Sequence, residues 1–462
     1  MKAIILGIIL FVISGCGFLD IETPGIVNSD KMFENEQGYI DAMAGIYASM
    51  TRSNLYGESL SFGLVDELAQ LYYNDYEGYE TIQNKIYNLD YLDVDVSNKI
   101  DLVWNNAYNV ISSANSILDN IPGKDFNILP QIEAEALTVR AFIHFDMLRL
   151  FSANYDKPDA LAIPYADKFS IIPFKRLTVK EVYTHIISDL NRAYLLLNKA
   201  DKTPRSSNNL YISNAASAAI LARVYNWAGD HINAEKFALE ALKGGHSMVQ
   251  PEQVKTLFMG YIARTECIWG LHAPKMYLNV RRKLVPTILN ENFNMIRDNY
   301  KDIYNVSSYT SSSNDYRYQA YFSVKWGRPI CEKLFDSYYD EEQIVATGRT
   351  PGINLIRLSE IYYILAESTY SKDKNIALSY LNKVINARGL DGLTLSDIDT
   401  EEKFQEELIN EYVKEYWAEG QIFFTYKRFW IDMKGLDGKL HRASDDIYIL
   451  PLPQAEISGG KN

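Results

Sequence analysis

Asn214-Ala215-Ala216-Ser217-Ala218-Ala219-Ile220-Leu221-Ala222-Arg223-Val224-Tyr225-Asn226-Trp227-Ala228-Gly229-Asp230 is the stretch on which the fold class turns. Ala215, Ala219 and Ala222 recur at helical spacing, and side chains this small let a second backbone approach closely. Gly229-Asp230 breaks the helix, and apolar residues resume at Ala234, Phe237, Ala238 and Ala241. The segment reads as a helix hairpin. A second one of similar design follows far downstream, where Leu365-Ala366 and then Ala377, Tyr380, Leu381 and Val384 repeat the pattern with one residue deleted.

Small-against-large packing at this spacing resembles tetratricopeptide repeats, whose hairpins cannot bury their faces alone and therefore stack. Other segments carry the same period. Residues 133–151 place Ala134, Leu137, Ala141, Phe145, Leu148 and Phe151 on one face and Phe142, Ile143, Met147 and Leu150 on another, which predicts a helix sandwiched between neighbours. Residues 181–197 show the stripe Val182, Ile186, Leu190, Ala193 and Leu197, and Thr178 with Glu181 three positions later forms a capping box. A helix over 104–118 is expected to pair with 133–151, and 181–197 to lead into the hairpin at 214. Between these arrays the pattern changes: residues 244–352 are short mixed segments, 305–315 have no period, and 66–91 cluster tyrosines among Asn and Asp. The expected fold is mostly α, a tetratricopeptide-like array of helix hairpins with irregular loops and a few short strands.

Composition narrows the function. Of the 462 residues 47% are hydrophobic and 13% aromatic, enough for a large core, and 23% charged argues against a multispanning membrane protein. The balance of 46 Lys+Arg against 59 Asp+Glu, a net charge of −13, repels phosphate backbones, so nucleic acid is not an expected partner. Three Cys and six His show neither a disulfide framework nor paired metal-ligand spacing, and no metal or cofactor is expected. At the N-terminus, Lys2 precedes an apolar run from Ala3 to Ile13 that is too short to span a bilayer and reads as the core of a signal peptide. Ile13-Ser14-Gly15-Cys16 resembles a bacterial lipobox, so residues 1–15 are read as the leader and Cys16 as the lipid-bearing first residue of a single 16–462 domain. Cys267 and Cys331 are expected to be buried free thiols, since no neighbouring cations suggest a reactive thiolate.

Several motifs in order resemble the SusD/RagB family of outer-membrane nutrient-binding lipoproteins. They are Cys16-Gly17-Phe18-Leu19-Asp20 with Pro24; Met32-Phe33, then Ala42 and Gly45-Ile46-Tyr47; and Trp104, Tyr108 and Asn115. Next come Glu135-Ala136, Arg140-Ala141-Phe142 and Leu148-Arg149-Leu150-Phe151, with Ile163-Pro164 after them. Toward the end stand Glu411, Glu415, Glu419-Gly420, Lys427-Arg428-Phe429-Trp430 and Leu450-Pro451-Leu452-Pro453-Gln454. The departures are Ser152 in place of a usual Gly, Tyr412 and Val413 in place of arginines, and the tail Gly459-Gly460-Lys461-Asn462. The resemblance implies a non-enzymatic lipoprotein, anchored by lipid on the outer membrane and exposed at the cell surface, that captures nutrient, usually glycan, for a SusC-like TonB-dependent transporter. It also implies that the Glu411, Glu415, Glu419 ladder is structural, with Lys427 and Arg428 as its expected partners.

Sugar rings stack their C–H faces on aromatic rings while their hydroxyls need polar neighbours. Two loop regions, around 60–95 and 244–352, offer that mixture. Tyr72, Tyr73, Asn74, Asp75, Tyr76 and Tyr79 form one candidate edge, and Tyr309, Tyr316, Tyr318 and Trp326 a second. Asp315 and Arg317 also resemble a structural motif of the family, which favours packing roles for Tyr316 and Tyr318. Asp66-Glu67 reads as a solvated helix end and His144 as a satisfied core histidine. Peptide cargo is the nearest alternative; a periplasm-facing tetratricopeptide scaffold and an envelope hydrolase are the others, and no nucleophile elbow or phosphate loop supports the last.

Overall fold

The computed structural model describes residues 29–73, 81–199, 205, 208–258, 262–263, 265–284, 295–296, 300–306, 313–325, 327–334, 350–435 and 438–459. Its longer helices are α1 (Glu36–Met50), α2 (Val94–Asp119), α3 (Leu129–Phe151), α4 (Val179–Lys199), α5 (Asn214–Trp227), α6 (His231–Leu242), α7 (Met276–Leu284), α8 (Leu358–Tyr370), α9 (Lys374–Ala387), α10 (Glu401–Glu415) and α11 (Ile422–Phe429). None of the described helices is long and apolar enough to cross a membrane.

Both expected hairpins are present, and local chemistry sets their ends. The Ser213 side chain caps α5 by accepting from Ala216 N at 3.2 Å, and Gly229, at φ +74°, makes the left-handed turn into α6. Asp373 caps α9 in the same way, accepting from Asn375 N at 2.8 Å. The two hairpins, which begin at Asn214 and Leu358, lie side by side, with α6 packed on α8. Ala234, Phe237, Ala238 and Ala241 are the buried positions of α6, so the small residues face the seam.

The sandwiched helix is α3: every residue but Pro130 and Glu133 is buried, between α2 and α4 with α1 across it. The capping box at the start of α4 is formed, Thr178 N donating to Glu181 Oε2 at 2.8 Å and Glu181 N to Thr178 Oγ1 at 3.3 Å. One contiguous core runs through the described residues from Phe33 to Leu450.

The strands form two-stranded antiparallel pairs: β2 (Leu161–Pro164) with β3 (Arg176–Thr178), β4 (Cys267–His272) with β8 (Gly352–Arg357), β6 (Phe322–Lys325) with β7 (Arg328–Cys331), and β9 (Met433–Lys434) with β10 (Leu440–His441). The remaining pair, β1 (Tyr72–Tyr73) with β5 (Met295–Ile296), joins the two loop regions. The region 66–91 is less irregular than its composition suggests. Short helices Leu64–Leu68 and Ile82–Tyr87 flank β1, and Tyr87 and Tyr91 are buried, the Tyr91 hydroxyl donating to Ile447 O at 2.6 Å.

Candidate functional site

The β1–β5 ladder sets Tyr72 opposite Ile296 and Tyr73 opposite Met295, so the first tyrosine segment and the 244–352 region meet at one edge. Beneath it runs a chain of rings. Tyr72 stands edge-on to Trp417 (6.0 Å), Trp417 to Phe322 (5.1 Å), and Phe322 leads to Tyr304 (5.5 Å) and Tyr300 (5.0 Å). Tyr318 lies nearly parallel to Tyr300 at 5.8 Å. Edge-to-face packing of this kind fixes ring orientation as well as burying area.

This geometry corrects one assignment. Tyr72 is fully buried, with its ring committed to Trp417, and has no face to offer a sugar. Tyr318 is half-buried in the ring cluster, and Tyr316 is half-buried against Gly389. Asn74, Asp75, Tyr76, Tyr79, Tyr309 and Trp326 lie outside the described residues, as does the side chain of Tyr73. A cleft of about 310 Å³ is lined by Tyr304, Asn305, Ser313, Asn314, Asp315, Leu390 and Lys414. Its amides, hydroxyl, carboxylate and ammonium beside the Tyr304 ring can pair with the hydroxyls of a polyhydroxylated ligand. A wider cleft of about 550 Å³ lies between the α8–α9 turn and the start of α10, but its rings, Tyr370 and Phe404, stack on each other at 4.1 Å.

A buried charge network holds this edge to the helices. Glu415 sits at the end of α10 and receives Arg388 through Nε at 2.9 Å and Nη2 at 2.7 Å, Arg357 through Nη1 at 2.7 Å, and Arg317 through Nη1 at 3.3 Å. Arg388 reaches on to both oxygens of Glu266 (3.0 and 2.8 Å), and Arg317 to both oxygens of Glu411 (2.9 and 3.1 Å) and to Asp315 (2.7 Å). Arg357 is bidentate on Glu419 (2.7 and 2.8 Å), which also pairs with Lys333, whose ammonium donates to Glu415 O at 2.7 Å. Burial alone would push the Glu411 carboxyl up, but Arg317 and Lys414 beside it hold it at about 2. Burial opposes ionisation of Glu415 too, and Arg388, Arg357 and Arg317 overcome it, holding the carboxyl well below the usual range.

The ladder is thus structural, as the resemblance implied, but the expected partners are wrong. Lys427 instead donates to the carbonyls of Arg149 and Ser152 at the end of α3, and Arg428 pairs with Glu367 at 2.6 Å. The ladder also leaves the helix: α10 ends at Glu415, and Glu419 lies in the following turn. Sequence spacing revealed the three acids, but apart from Lys414, three positions from Glu411 on α10 itself, their cations come from four separate segments, which no local pattern connects.

Asp66 and Glu67 are a second correction, being fully buried instead of solvated. Asp66 accepts from Gly420 N at 3.1 Å, and burial pushes its carboxyl well above the usual range. Glu67 pairs with Lys283 of α7 and lies 3.7 Å from Lys99 of α2. Both acids therefore brace the base of the first tyrosine segment. Gly420, at φ +70°, is required there because a Cβ would lie 2.2 Å from Leu60 O.

Other readings agree with the structure. His144 is a buried neutral imidazole: Nδ1 donates to Arg140 O at 2.8 Å, Nε2 accepts from Ala166 N at 3.0 Å, and burial lowers its pKa to about 3. Cys267 and Cys331 are separate buried thiols, both pushed up by burial.

Comparison with known proteins agrees with this architecture from end to end. Residues 18–226 match a SusD-like family model described as starch-binding and associating with the outer membrane, and residues 256–461 match the SusD/RagB model of the SusD family. SusD-like protein P2 of Formosa agariphila is 25% identical over 515 aligned positions, which cover 98% of this chain and 97% of that protein. A SusD superfamily protein of Bacteroides thetaiotaomicron superposes with a TM-score of 0.70 at 23% identity, over 94% of this chain and 98% of its own. A SusD-like carbohydrate binding protein of Bacteroides vulgatus gives 0.73 at 19%, over 92% and 96%. With successive family matches along nearly its whole length and the same mostly helical scaffold, the chain belongs to the SusD/RagB family.

Proposed function

We propose that this protein captures an oligosaccharide at the cell surface and delivers it to a SusC-like TonB-dependent transporter in the outer membrane, moored by lipid on Cys16. Its helix hairpins would stack in the manner of tetratricopeptide repeats and carry the binding edge. The observation that supports the reading is the β1–β5 pairing, which joins the tyrosine-rich segment that begins at Tyr72 to the 244–352 region over an aromatic base. The family's description as starch-binding and outer-membrane-associated points the same way.

Tyr73, Tyr76, Tyr79, Tyr309 and Trp326 are the assigned stacking platforms, with Asn74 and Asp75 as hydroxyl partners. Tyr72 is assigned to the packing beneath β1, and Tyr316 and Tyr318 to the walls of the edge. Each platform contributes about 0.5–1.5 kcal/mol beyond its area, so a few of them give modest affinity and still release cargo. Titration calorimetry against a panel of glycans tests the assignment. Replacing Tyr73, Tyr76, Tyr79, Tyr309 and Trp326 together by Ala is expected to weaken the bound glycan at least about a hundredfold. Unchanged affinity in that variant overturns the site, and a peptide as the only ligand overturns the substrate class.

A further inference from the structure

The loop that joins β2 to β3 has no part in ligand capture as argued above, yet its first residues are fixed with unusual care. Asn115 Nδ2 donates to Ala166 O (2.9 Å) and Lys168 O (3.0 Å), Arg140 Nη1 to Asp167 O (2.6 Å), and Phe169 N to Asp119 Oδ2 (2.9 Å). Ala166 N adds its bond to His144. On the far side Phe174 packs against the core. Between these supports Phe169, Ile171 and Ile172 are 54%, 93% and 73% exposed. The Ser170 hydroxyl braces the tip, bonded to both N and O of Ile172 at 3.0 Å.

Scattered exposed apolar side chains are ordinary, but three within four positions on a braced turn are a patch. Exposed Lys168 and Lys175 stand on either side, with exposed Asp167 behind Lys168, so the residues nearest the tip are basic on a chain of net charge −13. An apolar tip between basic flanks is the pattern that settles in a membrane interface, with hydrocarbon side chains among the acyl chains and ammonium groups among the phosphates.

We infer that this loop is a lipid-contact foothold: Phe169, Ile171 and Ile172 enter the interface of an anionic membrane and Lys168 and Lys175 meet its headgroups. Its position supports this. Asp119, which holds the Phe169 amide, adjoins Asn120, whose carbonyl accepts the Tyr39 hydroxyl, and Tyr39 packs on Phe33 at 4.9 Å, close to the first described turn. The loop and the entry of the chain therefore meet at one end of α2. Twelve residues, and so thirteen Cα-to-Cα steps, separate Cys16 from Ser29, a reach of at most about 45 Å. The inference rests on the proposed lipid at Cys16, which would keep the loop at high effective concentration beside the membrane and let weak insertion set the tilt of the body.

Residues 17–462, which include the whole described fold and no acyl chain, are mixed with vesicles of phosphatidylcholine alone or with phosphatidylglycerol at roughly 7:3. Sedimentation is expected to show binding to the anionic vesicles that drops at least about tenfold in F169S/I171S/I172S. It should drop several-fold in K168E/K175E or at about 0.5 M salt. The F169W variant should shift to the blue on binding and be quenched by brominated acyl chains. Equal sedimentation of parent and three-serine variant, or no quenching in F169W, overturns the foothold. So does a parent dimer that the three serines dissolve, since the patch then belongs to a second copy. Mass spectrometry of Cys16 in the native host reads the anchor separately: a bare thiol sinks the lipid reading and leaves the vesicle result standing.

Discussion

Two parts of the molecule hold irregular chain onto helices by opposite means. At the α2–α3 clamp, side chains grip backbone: Asn115, Arg140, His144 and Asp119 bond the main chain of residues 166–169, and Tyr108 donates to Pro164 O at 2.8 Å. At the α10 joint, side chains grip side chains, with Arg317, Arg357, Arg388 and Lys333 converging on Glu266, Glu411, Glu415 and Glu419. A backbone clamp leaves the loop's own side chains free to vary. A charge joint makes every element that contributes a partner depend on the others, because removing one charge strands the rest in a medium that cannot solvate them.

The largest effect is therefore expected in the joint. Glu415→Ala leaves Arg388, Arg357 and Arg317 short of a buried counter-charge and should cost about 3–5 kcal/mol in chemical denaturation. The joint should also fail in acid. Glu411 and Glu415 stay ionised in the fold while the unfolded chain takes up protons near the usual 4.5, so their contribution is complete above that value and is lost as pH falls toward about 2. Urea midpoints measured between pH 5 and 2.5, an interval within about two units of that carboxylate value, should fall steeply in the parent and less steeply in Glu411→Gln. The clamp has an acid limb that starts higher. His144 refuses its second proton down to about 3 while an unfolded imidazole accepts one near 6.5, so stability drains from about 6.5 downward. Equal slopes through both intervals would erase the distinction between the two regions.

The clamp should yield less energy and a more local injury. Arg140 is bidentate on Asp189 (2.6 and 2.8 Å) and also donates to Asn115 Oδ1 at 2.8 Å. Arg140→Leu is expected to cost about 1.5–3 kcal/mol. Hydrogen exchange should then quicken at residues 166–169 and leave β6 and β7 protected. If exchange rises equally in both regions, the two supports are one cooperative unit.

The same contrast explains what could be read from sequence. The hairpins and the helices of the clamp were legible because helical period places Ala219, Ala238 and Phe142 on faces and because Asn115, Arg140 and Ile163-Pro164 carried the family resemblance, but the bonds between the clamp's side chains and the backbone of 166–169 had no sequence signal. The joint was legible only in part. The acids at 411, 415 and 419 showed by spacing, but Glu266, Lys333, Arg357 and Arg388 sit at the ends of unrelated elements. Long-range charge pairing has no period, so the nearby Lys427 and Arg428 were the natural and mistaken partners. Burial of Asp66-Glu67 and Tyr72 was hidden for a related reason: polar and aromatic residues look like surface until the segments covering them are known, here the 417–420 turn and α7.

Gly389 gives the smallest expected effect and separates wall from platform at the binding edge. It lies at φ +85° just after Arg388, and a Cβ there would come within 2.2 Å of Tyr316 Cδ2. Gly389→Ala must strain the turn or push the Tyr316 ring aside, at a cost of about 1–2 kcal/mol. If Tyr316 only walls the edge, glycan affinity should change less than about threefold, against the far larger loss expected when Tyr309 and Trp326 are removed with the other platforms. Calorimetry on the variant decides, because a stability loss with binding intact keeps Tyr316 in the wall. A tenfold loss of affinity would move that ring, and the cleft beside it, into direct contact with the ligand.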